Sequence, residues 1–268
     1  MRAERPGGPS TLMVYMAMVF LIFPLLAIIP VSFTPKRFLS MPSDELSLRH
    51  YEALATSPEW LGSIWQSLMV ATASAVLATV LAVLFALGIW YRRPRLTPLL
   101  IGFVILPMAV PPIISAIVLY FFETRMGLYD TLPGVILAHT VIVVPYAVIT
   151  VLVVLSQLDR RIERAARNLG ASLWQTTVFV ILPNIKVGIA SAGFLAFVLS
   201  WEEIAITLFV TSFDVVTLPR RIWSGLRDNI DPVIASVSVV LIALTVAAVL
   251  VRTVAVGMKA RRNKEASA

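Results

Sequence analysis

The chain has 268 residues, of which 59% are hydrophobic and 14% charged, with a formal net charge of +7 and a mean hydropathy of +0.89. An ordinary soluble domain has no use for that much apolar surface, so the composition excludes a water-soluble enzyme and points to a chain that lives in a bilayer. The basic balance does not single out nucleic acid, because in a polytopic chain Lys and Arg report topology, and the absence of cysteine removes disulfides and thiolate metal sites.

Uncharged runs at 6–35, 60–91, 96–122, 131–158 and 232–251 can each supply the roughly 20 apolar residues needed to cross a bilayer. A sixth run, 187–210, is interrupted by Glu202 and Glu203. The expected fold is an all-α integral membrane domain over residues 1–268, with six transmembrane helices at about 11–33, 64–91, 99–122, 132–155, 187–210 and 233–256.

Lys and Arg cluster on alternate connections. Arg2, Arg5, Arg92, Arg93, Arg95, Arg160, Arg161, Arg164, Arg167, Lys259, Arg261, Arg262 and Lys264 fall on one side. Only Lys36, Arg37, Arg49, Arg125, Arg220, Arg221 and Arg227 fall on the other. The positive-inside rule then puts both termini in the cytoplasm.

The first span follows two arginines, but its apolar run exceeds the 7–15 residues of a signal-peptide core, which predicts a retained signal anchor. Pro24 and Pro30 kink it. In the connection that follows, Leu46–Leu54 (LSLRHYEAL) has helical periodicity and is expected to lie along the membrane surface, with His50 solvated. The second span is rich in small residues (Ala71, Thr72, Ala73, Ser74, Ala75, Ala78, Thr79), the mark of a helix packed closely among neighbours. Tyr91–Arg95 is a tight turn. The third span carries Pro107, Pro111 and Pro112; the carbonyls they free are met either by neighbouring helices or by water in a cavity. His139 lies in the fourth span, about 10 Å from its start at 1.5 Å per residue. An intramembrane histidine either bonds a neighbouring helix or touches a translocated solute.

Residues 159–185 (DRRIERAARNLGASLWQTTVFVILPNI) are the one long polar interruption. Arg160, Arg161, Arg164 and Arg167 interleave with Ile162, Ala165, Ala166 and Leu169 at the spacing of a short amphipathic helix. Gly170 breaks it. Ser172 and Gln175 fit a capping box that starts a second helix, and Pro183 is expected to end that one.

Ala165, Ala166, Gly170, Val180, Leu182 and Pro183 fall in register with the EAA loop of permease subunits in binding-protein-dependent ABC importers, and the segment resembles that loop. The family's glutamate position holds Arg164, with Glu163 one place earlier. Other stretches are similar to the same family: Ser47, Leu48 and Tyr51; LPMAVPPII in the third span; and LAHTVIVVPY in the fourth. SWEEIAITLFVT (Ser200–Thr211) and Thr217, Leu218, Pro219, Ile222 and Ser224 resemble the spermidine/putrescine branch, although Pro112 stands where that branch carries an acid.

The resemblance implies the permease subunit of an ATP-driven importer in a bacterial inner membrane. It implies a second permease subunit, two ATP-binding cassette ATPases and a periplasmic solute-binding protein as partners, besides membrane lipid, with no role for nucleic acid. It assigns Glu163, Arg164, Ala165, Ala166 and Gly170 to ATPase coupling. Adjacent helical residues point about 100° apart, so Glu202 and Glu203 cannot share a face; Glu203 is expected toward the polar interior and Glu202 toward the headgroups. With His139, they are the candidate substrate path. The acid pair favours a small cationic, amine or polyamine-like solute.

No P-loop is present: Gly188 and Gly193 have the outer spacing, but Phe194 replaces the lysine. No HExxH, GxSxG or metal-spaced histidine cluster occurs. Neither catalytic residues, a metal nor a cofactor is therefore expected, and ATP hydrolysis belongs to a partner. The alternative is a secondary transporter or another polytopic membrane protein without an ATPase partner.

Overall fold

The computed structural model of the chain describes residues 8–42, 45–92, 94–228 and 231–265. Its helices are α1 (Gly8–Ser32), α2 (Arg49–Thr56), α3 (Pro58–Arg92), α4 (Thr97–Ala109), α5 (Pro112–Met126), α6 (Leu132–Ser156), α7 (Arg160–Asn168), α8 (Leu173–Thr176), α9 (Leu182–Trp201), α10 (Ala205–Val210), α11 (Leu218–Asp228) and α12 (Val233–Glu265). No strand occurs among the described residues. The uncharged runs become helices because lipid offers a backbone N–H or C=O no partner, and a helix satisfies them within one segment. Among the described residues, five helical stretches are long and apolar enough to cross a bilayer, and α4 with α5 makes a sixth if that bent pair is one span.

Two spans depart from the simple expectation. The run 99–122 is two helices that meet at 100°. Val110 (φ −89°, ψ 130°) and Pro111 (φ −53°, ψ 136°) are extended, because each precedes a proline whose ring excludes the helical conformation. Conversely, Pro183 ends nothing. The chain is helical from Leu173 to Trp201, with a π-turn at Thr177–Ile181. The π-turn widens the bonding just before Pro183, whose ring cannot donate. Asn184 Nδ2 then donates to the Val180 carbonyl at 2.7 Å.

The chain divides into two compact units, residues 62–221 and residues 1–61 with 222–268. In the first, α3, α6 and α9 share a core in which α3 contributes Ala75, Ala78, Ala82 and Ala86, all buried. Small side chains let the backbones approach where lipid supplies no hydrophobic drive. One close approach between helices is at Gly188 of α9, where a Cβ would lie 2.5 Å from both γ-carbons of Val154 on α6. Val154 is β-branched and stiff in a helix, so Gly188→Ala should destabilise the unit by about 1–3 kcal/mol. Thermal unfolding in detergent checks this, and Val154→Ala should restore most of the loss.

The second unit pairs α1 with α12 and docks α2 on them. The Ser236 hydroxyl donates to the Ser32 carbonyl (3.5 Å), and the Ser32 hydroxyl meets the Tyr51 hydroxyl at 2.7 Å. The Phe33 and Tyr51 rings lie 5.3 Å apart. His50 corrects the sequence reading. It is buried, with Nε2 3.0 Å from the Lys36 carbonyl, because α2 turns that face inward onto the connection before it.

Candidate functional site

Two ends of the 62–221 unit carry the candidate residues. At one end the amphipathic α7 begins at Asp159, whose carboxylate accepts the Arg161 N–H at 2.8 Å, the usual office of an N-cap. It stops at Gly170, which lies in the left-handed region at φ 89°. There the Ala171 N–H reaches back to the Ala166 carbonyl and the Gly170 N–H to the Arg167 carbonyl, closing the helix in the manner of a glycine cap. The capping box then forms as expected. The Gln175 N–H donates to Ser172 Oγ at 3.2 Å, and the Ser172 N–H donates to Gln175 Oε1 at 2.8 Å.

The end of α3 holds α7 by one face. Trp90 lies in the last turn of α3, where helix carbonyls lack intrahelical partners. Arg160 donates to the Trp90 carbonyl at 3.1 Å, and its guanidinium stands 3.9 Å over the indole ring, a cation–π contact at a helix C-terminus that also favours positive charge. The indole N–H donates to Glu163 Oε2 at 2.8 Å. Arg160 and Glu163 are three residues apart and so share a face. Beside them the Tyr91 and Thr177 hydroxyls meet at 2.8 Å.

The other faces of the segment are open. Arg161, Arg164, Ala165 and Arg167 are exposed and Ala166 is half-buried; Leu169, Trp174 and Phe179 are 89%, 72% and 71% exposed. One step along a helix turns a side chain by about 100°. The one-residue offset of the acid therefore places Glu163 on Trp90 and leaves Arg164 outward.

At the other end, about 36 Å away along α3, α9 stops at Trp201 and α10 begins at Ala205. Glu202 and Glu203 therefore lie at a break rather than inside one helix. Glu203 Oε1 accepts the Ile206 N–H at 3.0 Å, standing in for the main-chain carbonyl that a continuous helix would supply. Glu203 is half-buried and Glu202 exposed. His139 of α6 bridges the break. Its Nδ1 lies 2.9 Å from Ser200 Oγ before the gap, and its Nε2 lies 3.0 Å from Thr207 Oγ1 after it. Thr207 Oγ1 also donates to the Glu203 carbonyl at 3.4 Å. His139 is 1% exposed, so both ring nitrogens are spent on neighbouring helices. The structure thus brings Glu203 and His139 together through Thr207, and sets Glu202 apart.

Sequence reasoning missed three residues here. Asp130, at φ 56°, ties the connection after α10. Its carboxylate accepts the N–H groups of Phe213 (2.8 Å), Asp214 (3.1 Å) and Val215 (3.2 Å). Burial pushes the Asp130 carboxyl up, but bonds from the 212–215 amides outweigh it and hold the group below the usual aspartate range. Gln66 clamps the same connection from α3, donating to the Asp214 carbonyl at 3.0 Å and accepting from the Val216 N–H at 2.6 Å. Arg220 closes it by donating to Thr211 Oγ1 and to the Ser212 and Val215 carbonyls. The Gly-Leu-Tyr-Asp turn before a capping Thr131 was the available signal for Asp130, since aspartate tolerates the left-handed region. Separately, Glu123 of α5 is 2% exposed, with neither carboxylate oxygen hydrogen-bonded among the described residues.

Residues 78–262 match the family model described as binding-protein-dependent transport system inner membrane component. The chain is 27% identical over 231 residues to the spermidine/putrescine transport system permease protein PotC of Escherichia coli (strain K12), covering 86% of this chain and 87% of that protein. It is 32% identical over 190 residues to a protein of Haloferax volcanii described as "Probable molybdenum ABC transporter permease protein", covering 66% of this chain and 70% of that one. Among solved structures, it superposes with a TM-score of 0.70 on a chain of a bacterial ABC transporter involved in the import of the acidic polysaccharide alginate. That match has 14% identity and covers 94% of this chain and 99% of that one.

Proposed function

The chain belongs to the binding-protein-dependent transport system inner membrane component family, and from that premise we propose how this multi-pass permease serves an ATP-driven importer. Membership implies, in general terms, a partner permease, an ATPase and a solute-binding protein. In finer detail, the chain pairs with a second, different permease subunit in the bacterial inner membrane, with both termini in the cytoplasm. Two ATPase subunits dock on residues 159–185, and a periplasmic binding protein delivers the solute to the opposite end.

The observation that carries this reading is the exposed face of the capped coupling segment. Arg161, Arg164 and Arg167 and the apolar Leu169, Trp174 and Phe179 are all exposed along this one segment. A surface of that make-up fits an apolar cleft with an acidic rim. Ala165 and Ala166 keep the helix slim there, and Gly170 turns the chain out of it. Nucleotide closes the ATPases, the coupling segments are pushed, and the bundle passes between states that bind ATP differently.

We place Glu203 and Glu202 on the substrate path, with His139 behind them, and assign a small cationic or amine-bearing solute. The relatives' names divide between polyamines and molybdenum, and a carboxylate at the helix break favours the cation.

The test is isolation of the tagged chain from its native membrane in mild detergent. An ATP-hydrolysing subunit should co-purify in stoichiometric amount. Recovery of the intact chain with no ATPase would overturn the importer reading in favour of a secondary transporter.

A further inference from the structure

We propose that Trp90 is a positioning residue that ties the second span, α3, to the coupling helix α7, so that a push on α7 moves α3 directly through the indole. This inference rests on the importer reading above.

The coupling segment is covalently continuous with α6 before it and α9 after it. Helix α3 has no such connection, although it contributes Ala75, Ala78, Ala82, Ala86 and Trp90 to the core it shares with α6 and α9. Its end is nevertheless gripped by α7 at three points on one side chain and its backbone. The Trp90 carbonyl takes the Arg160 guanidinium, the indole face takes the same guanidinium 3.9 Å away, and the indole edge donates to Glu163. The N–H to carboxylate bond is charge-assisted and directional, and the ring is 6% exposed. A bare hydrophobic contact could slide under load; this arrangement fixes both the distance and the orientation of α7 on α3. Tyr91, the next residue, holds Thr177 at the start of the π-turn. The last turn of α3 thus contacts the segment before and after the Gly170 bend.

The grip also accounts for the offset acid. A glutamate at 164 would point outward, whereas at 163 it reaches Trp90. This chain uses its acid to bind its own second span and leaves arginine outward.

This chain has no cysteine of its own, so label on its separated band reports the introduced thiol alone. Val76 of α3 is 57% exposed beside an apolar groove of about 410 Å³ within the span that Ile189 and Phe197 also line, so Val76→Cys has room for a small, membrane-permeant thiol reagent. In the complete complex in liposomes, ATP with vanadate should change the labelling rate of Val76→Cys. Trp90→Phe keeps a ring under Arg160 but removes the N–H donor. It should shrink that nucleotide-dependent change about tenfold, the scale of a hydrogen bond to a charged group, while the ATPase still co-purifies and hydrolyses ATP. Glu163→Leu should shrink the nucleotide-dependent change to a similar degree, and for that change the double variant should be no worse than either single one. Glu163→Gln, which keeps an acceptor oxygen, should restore most of the response.

A Trp90→Phe complex that responds like the wild type would overturn the inference. So would a wild-type complex whose Val76→Cys labelling ignores nucleotide, or loss of the ATPase from the Trp90→Phe complex, which would make Trp90 part of the docking surface. A wild-type chain that retains no ATPase overturns the importer reading itself, which separates the two failures.

Discussion

Gly170→Val should abolish transport while leaving membrane insertion and the level of the chain unchanged. Gly170 sits at φ 89°, and a Cβ built there meets nothing within 4 Å, so the damage comes from backbone strain and not from a clash. An L-residue in the left-handed region costs about 1–2 kcal/mol, and a β-branched one suffers most. That is small against the stability of the domain, but it falls on a cap that sets the direction of α8 relative to α7. The chain relieves the strain by moving out of the left-handed region, which releases the Ala171-to-Ala166 bond and turns the docking face away. The expected order of uptake is therefore wild type, then Gly170→Asn, Gly170→Ala and Gly170→Val, because asparagine tolerates this conformation best. Uptake and ATPase co-purification measured on the same membranes check it. Wild-type values for Gly170→Val would remove the segment from the docking role.

Composition and spacing determine much of this fold, and the physical reason is that lipid leaves few choices. A 20-residue uncharged run must be helical, and a basic interruption with a glycine and a capping box must stop one helix and start another. Ser172, Gln175, Gly170 and the small-residue face of α3 could all be read for that reason: each acts through its own backbone or its own helix.

What stayed hidden depends on partners far away in sequence. Three prolines in the third span give a break, yet its 100° angle depends on two successive pre-proline residues going extended. Nothing in Ser200–Thr211 resembles a helix stop, because neither glycine nor proline occurs there. The stop is made by the Glu203 carboxylate competing for an amide and by His139 bonding both sides from another helix. His50 looked solvated because a lone polar residue in a polar connection gives no hint of a carbonyl fourteen positions earlier. Trp90 beside a run of arginines looks like an interface anchor, and only the fold brings Glu163 to its ring nitrogen.

Glu203→Gln should lower uptake of a cationic solute by about tenfold or more, with the complex fully assembled. The substitution separates two roles that Glu203→Ala would confuse. One carboxylate oxygen caps α10 by accepting the Ile206 N–H. A glutamine amide oxygen can accept that same bond, so the break between α9 and α10 should survive with its His139 bridge intact. What glutamine cannot supply is the negative charge and the second acceptor oxygen. A hydrogen bond to a charged group contributes about 1.5–3 kcal/mol, and each 1.4 kcal/mol is a factor of about ten. Glu202→Gln should have the smaller effect, because Glu202 is exposed and its carboxylate makes no hydrogen bond among the described residues. The measurement is initial uptake of labelled spermidine and putrescine in cells, with molybdate as the opposing solute and ATPase co-purification as the assembly control. If Glu203→Gln takes up a polyamine at the wild-type rate, Glu203 is a helix cap and not part of the path. If the wild-type system takes up molybdate and neither polyamine, the cation assignment fails whatever Glu203 does, because an oxyanion passing a carboxylate would be repelled by the charge that a cation needs.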